Sequence, residues 1–435
     1  MIKDIYMSDK INAKPTKEFF IEMLTRDIPL DRAILDLIDN SVDAARRSQV
    51  ASPEIKISFD SNSFLIFDNC GGLNLDDAKN YAFRFGRAKD APPTPHSVGQ
   101  FGVGMKRTLF KLGTAFSLTS VCGESAFRVA VDVGVWKELD DWEFEFVELN
   151  PETGPPGSTE IRVDSLYPAV AEQLGQEGFL NDLGHECARA HFLALNSGVK
   201  LIINDREVPG YQIRLLQSDK IKPFVRSWTL DGVNIRVVAG ISERKFEEGG
   251  WYILCNGRLV EAAEQTSITS WQSDGIPKYH PDYAFFRGVV QFDCDDSSKL
   301  PWTTTKTGVD QGSKIYRAAL IQMRIAMREV IVFLRARAKE DALFKGQIIS
   351  SRVINGEIES TIREGLVSFD ALPVNEKFIG PTPAPVGPRP TTTSIQYTAL
   401  VKDVEKIKAS LGVSTNREVG EETFNYYKSY ECTDD

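Results

Sequence analysis

Asp36, Asn40 and Asp43 are spaced four and three residues apart in DLIDNSVDA (Asp36–Ala44), so a helix there presents carboxylate, carboxamide and carboxylate on one face. A carboxamide oxygen such as that of Asn40 is a natural inner-shell ligand for Mg²⁺, and the Asp36 carboxylate, one turn earlier, could polarise a water aimed at a phosphate on that metal. Asp68 opens DNCGG (Asp68–Gly72). A carboxylate there can accept a hydrogen bond from an exocyclic amine, and Gly71 and Gly72 let the backbone approach a flat base closely. The third stretch is GQFGVGMK (Gly99–Lys106), whose residues Gly99, Gln100, Phe101, Gly102, Val103, Gly104, Met105 and Lys106 form a glycine loop running into an apolar segment. Free N–H groups at such a helix start can hold a phosphate chain, the helix dipole adding about 0.3–2 kcal/mol and Lys106 a charge.

These groups need rigid supports, and the surrounding pattern supplies them. Ile34, Leu37, Ile38, Val42 and Ala45 recur with a period near 3.6, which gives the Asp36 helix an apolar face opposite its polar one. Ile55–Phe59 and Phe64–Phe67 read as strands joined by a polar turn, so Asp68 falls at the end of the second. Met105–Leu112 reads as the helix after the glycine loop. The loop is not a Walker A sequence, because Met105 separates Gly104 from Lys106 and Arg107 follows where Ser or Thr is needed; Arg107 also takes the place of the last glycine of G-x-G-x-x-G.

In order and spacing, the three stretches resemble the N-, G1- and G2-boxes of the GHKL ATPases, the superfamily of gyrase-type topoisomerases, large dimeric heat-shock chaperones, histidine kinases, MutL and MORC. The resemblance implies a Bergerat α/β sandwich with ATP and Mg²⁺ as ligands. In it Asn40 binds the metal, Asp68 reads adenine, Asp43 and Gly72 join the nucleotide contacts, and Arg84–Gly104 forms the lid. Proline and glycine punctuation in FRFGRAKDAPPTPHSVG suits a moving cover. Two departures stand out. The residue four before the asparagine is usually Glu in hydrolysing members and here is Asp36, one methylene shorter, so hydrolysis is expected to be slow. Cys70 replaces the first glycine of Asp-x-Gly-x-Gly, which is tolerable where φ is negative.

The composition of the 435 residues is that of an ordinary globular protein, with 42% hydrophobic and 26% charged residues, and the length suggests two or three domains. No apolar run suggests a signal peptide or a membrane span, which points to a cytoplasmic protein without membrane partners. The six cysteines, 70, 122, 187, 255, 294 and 432, form no CxxC pair and read as reduced thiols. His185 and His191 in HECARAH are six residues apart, which misses zincin spacing and favours a helix face or core position. A net charge of −10 gives no electrostatic sign of nucleic-acid binding.

The chain reads as α+β throughout. Residues 1–170 are expected to form the ATP-binding domain, with a first helix at Thr16–Leu24, strands at Ala115–Val121, Ala126–Val133 and Trp142–Leu149, and a last strand in Gly157–Tyr167. By the resemblance, Thr159 on that strand supports adenine recognition. Residues 171–342 read as a second α+β module that begins with helices, takes up strands from Lys200, and closes with a helix over Lys314–Lys339. NGRLVE (Asn256–Glu261) resembles a hairpin of the transducer domain of MutL, gyrase-type enzymes, topoisomerase VI and MORC. In those families a lysine on a polar loop reaches the γ-phosphate, and Lys306 of LPWTTTKTGVD (Leu300–Asp310) is its counterpart, completing the catalytic set with Asp36. Residues 343–435 read as a mixed segment, a Pro-rich linker (Gly380–Ser394) and a tail with helices at Val401–Leu411 and Glu418–Tyr430.

Two functions compete. The first is an ATP-gated switch that dimerises with ATP, clamps DNA or a protein client, and resets by slow hydrolysis. The second is an ATP-binding scaffold with little turnover whose tail recruits an effector. A histidine kinase is the weakest reading, because His185-Glu186 lacks the following proline and lies after the ATP domain.

Overall fold

The computed structural model describes residues 14–86, 94–99, 102–383, 385 and 393–432. Residues up to 384 form one compact unit and residues from 385 a second. Among the described residues the larger unit holds an eight-stranded sheet, a five-stranded sheet and a two-stranded pair. The N-terminal helices are α1 (Lys17–Thr25) and α2 (Leu30–Ser48), followed by β1 (Glu54–Phe59), β2 (Phe64–Asp68) and the one-turn α3 (Leu75–Asp77). After the glycine loop come α4 (Gly104–Leu112), β3 (Gly113–Cys122), β4 (Ser125–Asp132), α5 (Val133–Glu138), β5 (Phe146–Leu149) and β6 (Ser158–Leu166). Helices α6 (Pro168–Leu174), α7 (Glu177–Ala190) and α8 (Phe192–Asn196) lead to β7 (Lys200–Ile203) and β8 (Arg206–Glu207). The eight strands order as β5-β4-β3-β6-β2-β1-β7-β8, antiparallel except where β7 runs parallel to β1.

Helix α2 forms where expected, and Asp31 in its first turn and Arg46 and Arg47 in its last complement its dipole. Its apolar stripe is buried against the sheet, with Ile34 and Ile38 fully inaccessible. The opposite face is also enclosed, since Asp36, Asp39 and Asp43 are buried as well. A helix that buries carboxylates on one side and isoleucines on the other lies between the core and a polar chamber.

The second sheet is built from β10 (Phe224–Leu230), β11 (Val233–Ile241), β12 (Gly250–Cys255), β13 (Arg258–Glu264) and β14 (Phe286–Asp293), in the order β10-β11-β14-β12-β13, and β9 (Arg214–Leu215) stands before it in the chain. The long α9 (Lys314–Lys345) lies across it and buries Ala319, Met323, Met327, Val330 and Leu334 in its core. Trp251 is fully buried there and donates its indole N–H to the Met327 sulfur at 3.4 Å.

Two sequence boundaries shift. The strand starting at Lys200 belongs to the first sheet rather than the second, so the first module runs to about Val208, whose side chain closes its core, and not to residue 170. Composition could not reveal this, because β7 pairs with a strand nearly 150 residues earlier. Residues 343–380 are not a separate segment. Helix α10 (Val353–Glu364) sends Ile354 and Ile358 into the second core, β15 (Val367–Ser368) pairs with β9, and Phe378 stacks edge-on against Phe333. In β5 only Phe146–Leu149 is strand, while Trp142 and Phe144 use their rings as core filler. The smaller unit contains α11 (Val401–Leu411) and α12 (Asn416–Glu431), the latter started by a capping box between Thr415 and Glu418. No helix among the described residues is long and apolar enough to cross a membrane.

In the second module Gly288 packs directly against Trp251. A Cβ on Gly288 would lie 2.4 Å from the indole ring, which is fully enclosed and has no room to move. Gly288→Ala is expected to destabilise the protein by about 1–3 kcal/mol, read as a lowered midpoint in chemical denaturation.

Candidate nucleotide site

Between α2, the sheet and the glycine loop lies a cavity of about 420 Å³. Asp36, Asn40, Asp43, Asp68, Gly72, Gly99, Gly102, Val103, Gly104, Met105, Lys106, Thr159 and Lys306, all singled out in the sequence, line it. Gln100 and Phe101 lie outside the described residues. Of the expected lid over Arg84–Gly104, residues 84–86, 94–99 and 102–104 are among the described residues.

The deep end is shaped for a flat, amine-bearing ring. Leu37, Ile66, Leu118 and Ile161 give it apolar walls around Asp68. Asp68 Oδ2 accepts from the Ser41 hydroxyl at 2.7 Å and Oδ1 from the Cys70 amide at 2.9 Å. Burial raises the Asp68 carboxyl above its ordinary value, and those two hydrogen bonds only partly offset it. Thr159 pairs across the sheet with Asp68, and its hydroxyl is 3.2 Å from Ser120 Oγ. Left-handed backbone falls on Gly71 (φ +111°) and Gly72 (φ +70°), leaving Cys70 free of that strain. A Cβ on Gly72 would lie 2.2 Å from the Val121 carbonyl oxygen, so only glycine lets the chain pass there.

The other end is built for an anion. No side chain caps α4, whose first turn begins at the glycine loop, so its leading amides are available to a phosphate. Gly104 packs against Asp36, and a Cβ on it would be 3.1 Å from the Asp36 carboxyl carbon. Asn40 faces the same space with its side chain exposed. Among the described residues no cluster of three or more His, Cys, Asp or Glu forms a metal cage. A magnesium ion held through Asn40, phosphate oxygens and water fits such a donor set, because Mg²⁺ keeps much of its hydration when bound with nucleotide.

Two of the predicted ligands have other work. Asp43 accepts hydrogen bonds from the Ser97 hydroxyl at 2.6 Å, the Val98 amide at 2.9 Å and the Gly99 amide at 2.9 Å, and so anchors the end of the lid rather than offering free oxygens. Lys106 turns its ammonium to the carbonyls of Ala82 at 2.7 Å and Arg84 at 2.6 Å, tying the lid's first residues to α4. The spacing alone could not show this, because most of these partners are backbone atoms of distant segments.

The second module enters the cavity. Lys306, at φ +55° in a turn closed by its own N–H to the Thr303 carbonyl, places its Nζ 3.1 Å from Asp36 Oδ1 and 2.7 Å from Asp39 Oδ2. Asp36 also pairs with Arg107. Asp39, which the sequence reading passed over, accepts from Arg258 Nε at 2.9 Å and faces His191 Nε2 at 2.8 Å. Burial opposes the Asp39 charge, yet Lys306, Arg258 and His191 outweigh it and hold the carboxyl well below the usual range. Burial likewise opposes the Lys306 charge, but Asp39 and Asp36 raise it above its ordinary value. His191 is pushed down by burial and by Arg258. Its Nε2 must carry the proton, since a carboxylate only accepts, and its buried Nδ1 has no partner to take a second one. The clue missed in the sequence is that Asp39 stands three residues after Asp36, on the same helix face.

Residues 28–161 match the family model of the histidine kinase-, DNA gyrase B- and HSP90-like ATPases. Residues 28–161 are a domain of this ATPase superfamily. No curated protein matches the chain. The matched span runs from the start of α2 to within β6 and so includes every wall of the cavity except the Lys306 loop. The α+β architecture is that of a GHKL sandwich followed by further structure, and the first module is of an ATP-binding type.

Burial lowers the Lys106 ammonium to about 7. Below that pH the cavity wall carries its positive charge; as pH rises through it, the amine keeps two N–H donors and loses the charge. Affinity for Mg-ADP is therefore expected to fall a few-fold from about pH 6 to about pH 8, and Lys106→Met to flatten that dependence, both measured by calorimetric titration.

Proposed function

We propose that this GHKL protein is an ATP-gated, dimerising switch that hydrolyses ATP slowly. The observation that carries the reading is Lys306, a side chain of the second module whose ammonium stands inside the cavity beside Asp36. A nucleotide there meets groups from both modules, so its phosphate count bears directly on how the two are held together. Asp68, with Thr159 and Gly72 beside it, would recognise the adenine amine. Asn40 would hold magnesium, which supplies charge neutralisation to the phosphates when bound. The amides at the start of α4 would take phosphate oxygens, Asp36 would orient the attacking water, and Lys306 would contact the terminal phosphate as a compact charge.

The second module is proposed to be transducer-like on the same ground, since its hairpin and its lysine loop both meet the nucleotide helix. Dimerisation through the N-terminal module, and a DNA or protein client enclosed by it, follow from the resemblance to MORC and MutL.

One observation favours the alternative of an ATP-binding scaffold. Asp36 is engaged by two cations, Arg107 on one oxygen and Lys306 on the other, so neither oxygen is free to orient a water while both stay bound. Turnover then requires Lys306 to leave Asp36 for the phosphate, and without that transfer the protein binds ATP and stops. In that case the tail of α11 and α12 would recruit the effector.

Mass in solution decides between the two. With Mg²⁺ and a non-hydrolysable ATP analogue, light scattering is expected to show a monomer becoming a dimer, with no change in ADP or without nucleotide. Asn40→Ala is expected to abolish the response. Asp36→Asn should bind the analogue and dimerise while losing at least about 100-fold in turnover. A mass that never responds while nucleotide binds would replace the switch by the scaffold.

A further inference from the structure

Asp39 lies behind the cavity and does not line it. Its carboxylate is divided between two sides. Oδ1 takes Arg258 Nε and His191 Nε2, and Oδ2 takes Lys306 Nζ alone. All four side chains are buried, so none of these charges is screened by solvent. Arg258 belongs to the β12–β13 hairpin and His191 to the junction of α7 and α8, so the orientation of the carboxylate is fixed by elements away from the cavity. At 2.7 Å the Lys306 ammonium is closer to Asp39 than to Asp36, at 3.1 Å.

We propose that Asp39 is a positioning residue that competes with the terminal phosphate for Lys306 and thereby sets how strongly the site prefers a nucleoside triphosphate to a diphosphate. The proposal rests on the reading above that Lys306 contacts that phosphate. A terminal phosphate entering beside Lys306 must draw the ammonium from Asp39 as well as from Asp36. The preference for ATP over ADP is therefore what the phosphate gains from Lys306 less what Asp39 gives up. Arg258 sets the strength of the competitor, because it already satisfies half of the Asp39 charge.

This arrangement makes two substitutions act in opposite directions. In Asp39→Asn the oxygen stays where Arg258 and His191 donate, which leaves the amide nitrogen facing Lys306, donor against donor. Lys306 is released from behind, and the affinity ratio of a non-hydrolysable ATP analogue over ADP is expected to rise at least about tenfold. In Arg258→Gln the whole Asp39 charge falls to Lys306, and the ratio is expected to drop by a similar factor. A lesion that merely loosened the fold would weaken both nucleotides in both variants and would not tighten the analogue.

The experiment is calorimetric titration of Mg-ADP and the Mg-bound analogue into the full chain, as wild type, Asp39→Asn, Arg258→Gln, Lys306→Met, and each of the first two combined with Lys306→Met. Support is a raised ratio for Asp39→Asn, a lowered one for Arg258→Gln, and neither change in the Lys306→Met background. An unchanged or lowered ratio in Asp39→Asn, or the same rise without Lys306, overturns the role of Asp39. Should Asp39→Asn fail to fold, Arg258→Gln carries the test alone, and an unchanged or raised ratio there overturns the proposal. A Lys306→Met protein with the wild-type ratio identifies a different failure, that of Lys306 as a phosphate contact.

Discussion

Five buried charges, Asp36, Asp39, Arg107, Arg258 and Lys306, meet where the two modules join, and they carry one more positive charge than negative. Removing one partner of such a pair typically costs about 3–5 kcal/mol, because the other is left charged and dry. The cluster therefore specifies geometry. Lys306 and Arg258 reach a carboxylate on α2 only if their loop and hairpin approach from one direction, which fixes the second module on the first. The surplus positive charge also has a chemical meaning, since an anion entering the adjoining cavity completes the balance.

The cavity joins two different solvents for one ligand. At one end, apolar strand residues surround a single carboxylate whose hydrogen bonds to Ser41 and Cys70 leave it aimed and partly desolvated. At the other, uncapped helix amides and lysines face a carboxamide. A molecule that is flat and apolar at one end and polyanionic at the other satisfies both, and neither half would bind such a ligand well alone.

Much of this was legible from the chain because local spacing determines it. The α2 stripe, the strand end at Asp68 and the glycine loop before α4 are each set within a dozen residues, where periodicity and turn chemistry act. Lys306 was placed by resemblance, and its loop does reach the cavity. What stayed hidden depends on contacts between distant segments. His191 and Arg258 gain their significance from a carboxylate 152 and 219 residues away, respectively. β7 reads as a strand from its sequence but not as the neighbour of β1. Asp43 and Lys106 have the residue types of ligands, and only their partners in distant segments show them to be fastenings of the chain beside the cavity.

The lid's far end has a further property. The Asn256 amide nitrogen donates to the Ser97 carbonyl at 3.1 Å, His96 pairs with Asp295 at 3.1 Å, and Val98 is counted in the hydrophobic core of the second module although its amide is bound by Asp43 of the first. The stretch Ser97–Gly99 beside the cavity is thus fastened to both modules at once. A displacement of the second module relative to the first would have to break those fastenings or carry them along, so this wall of the cavity is mechanically part of the joint between the modules.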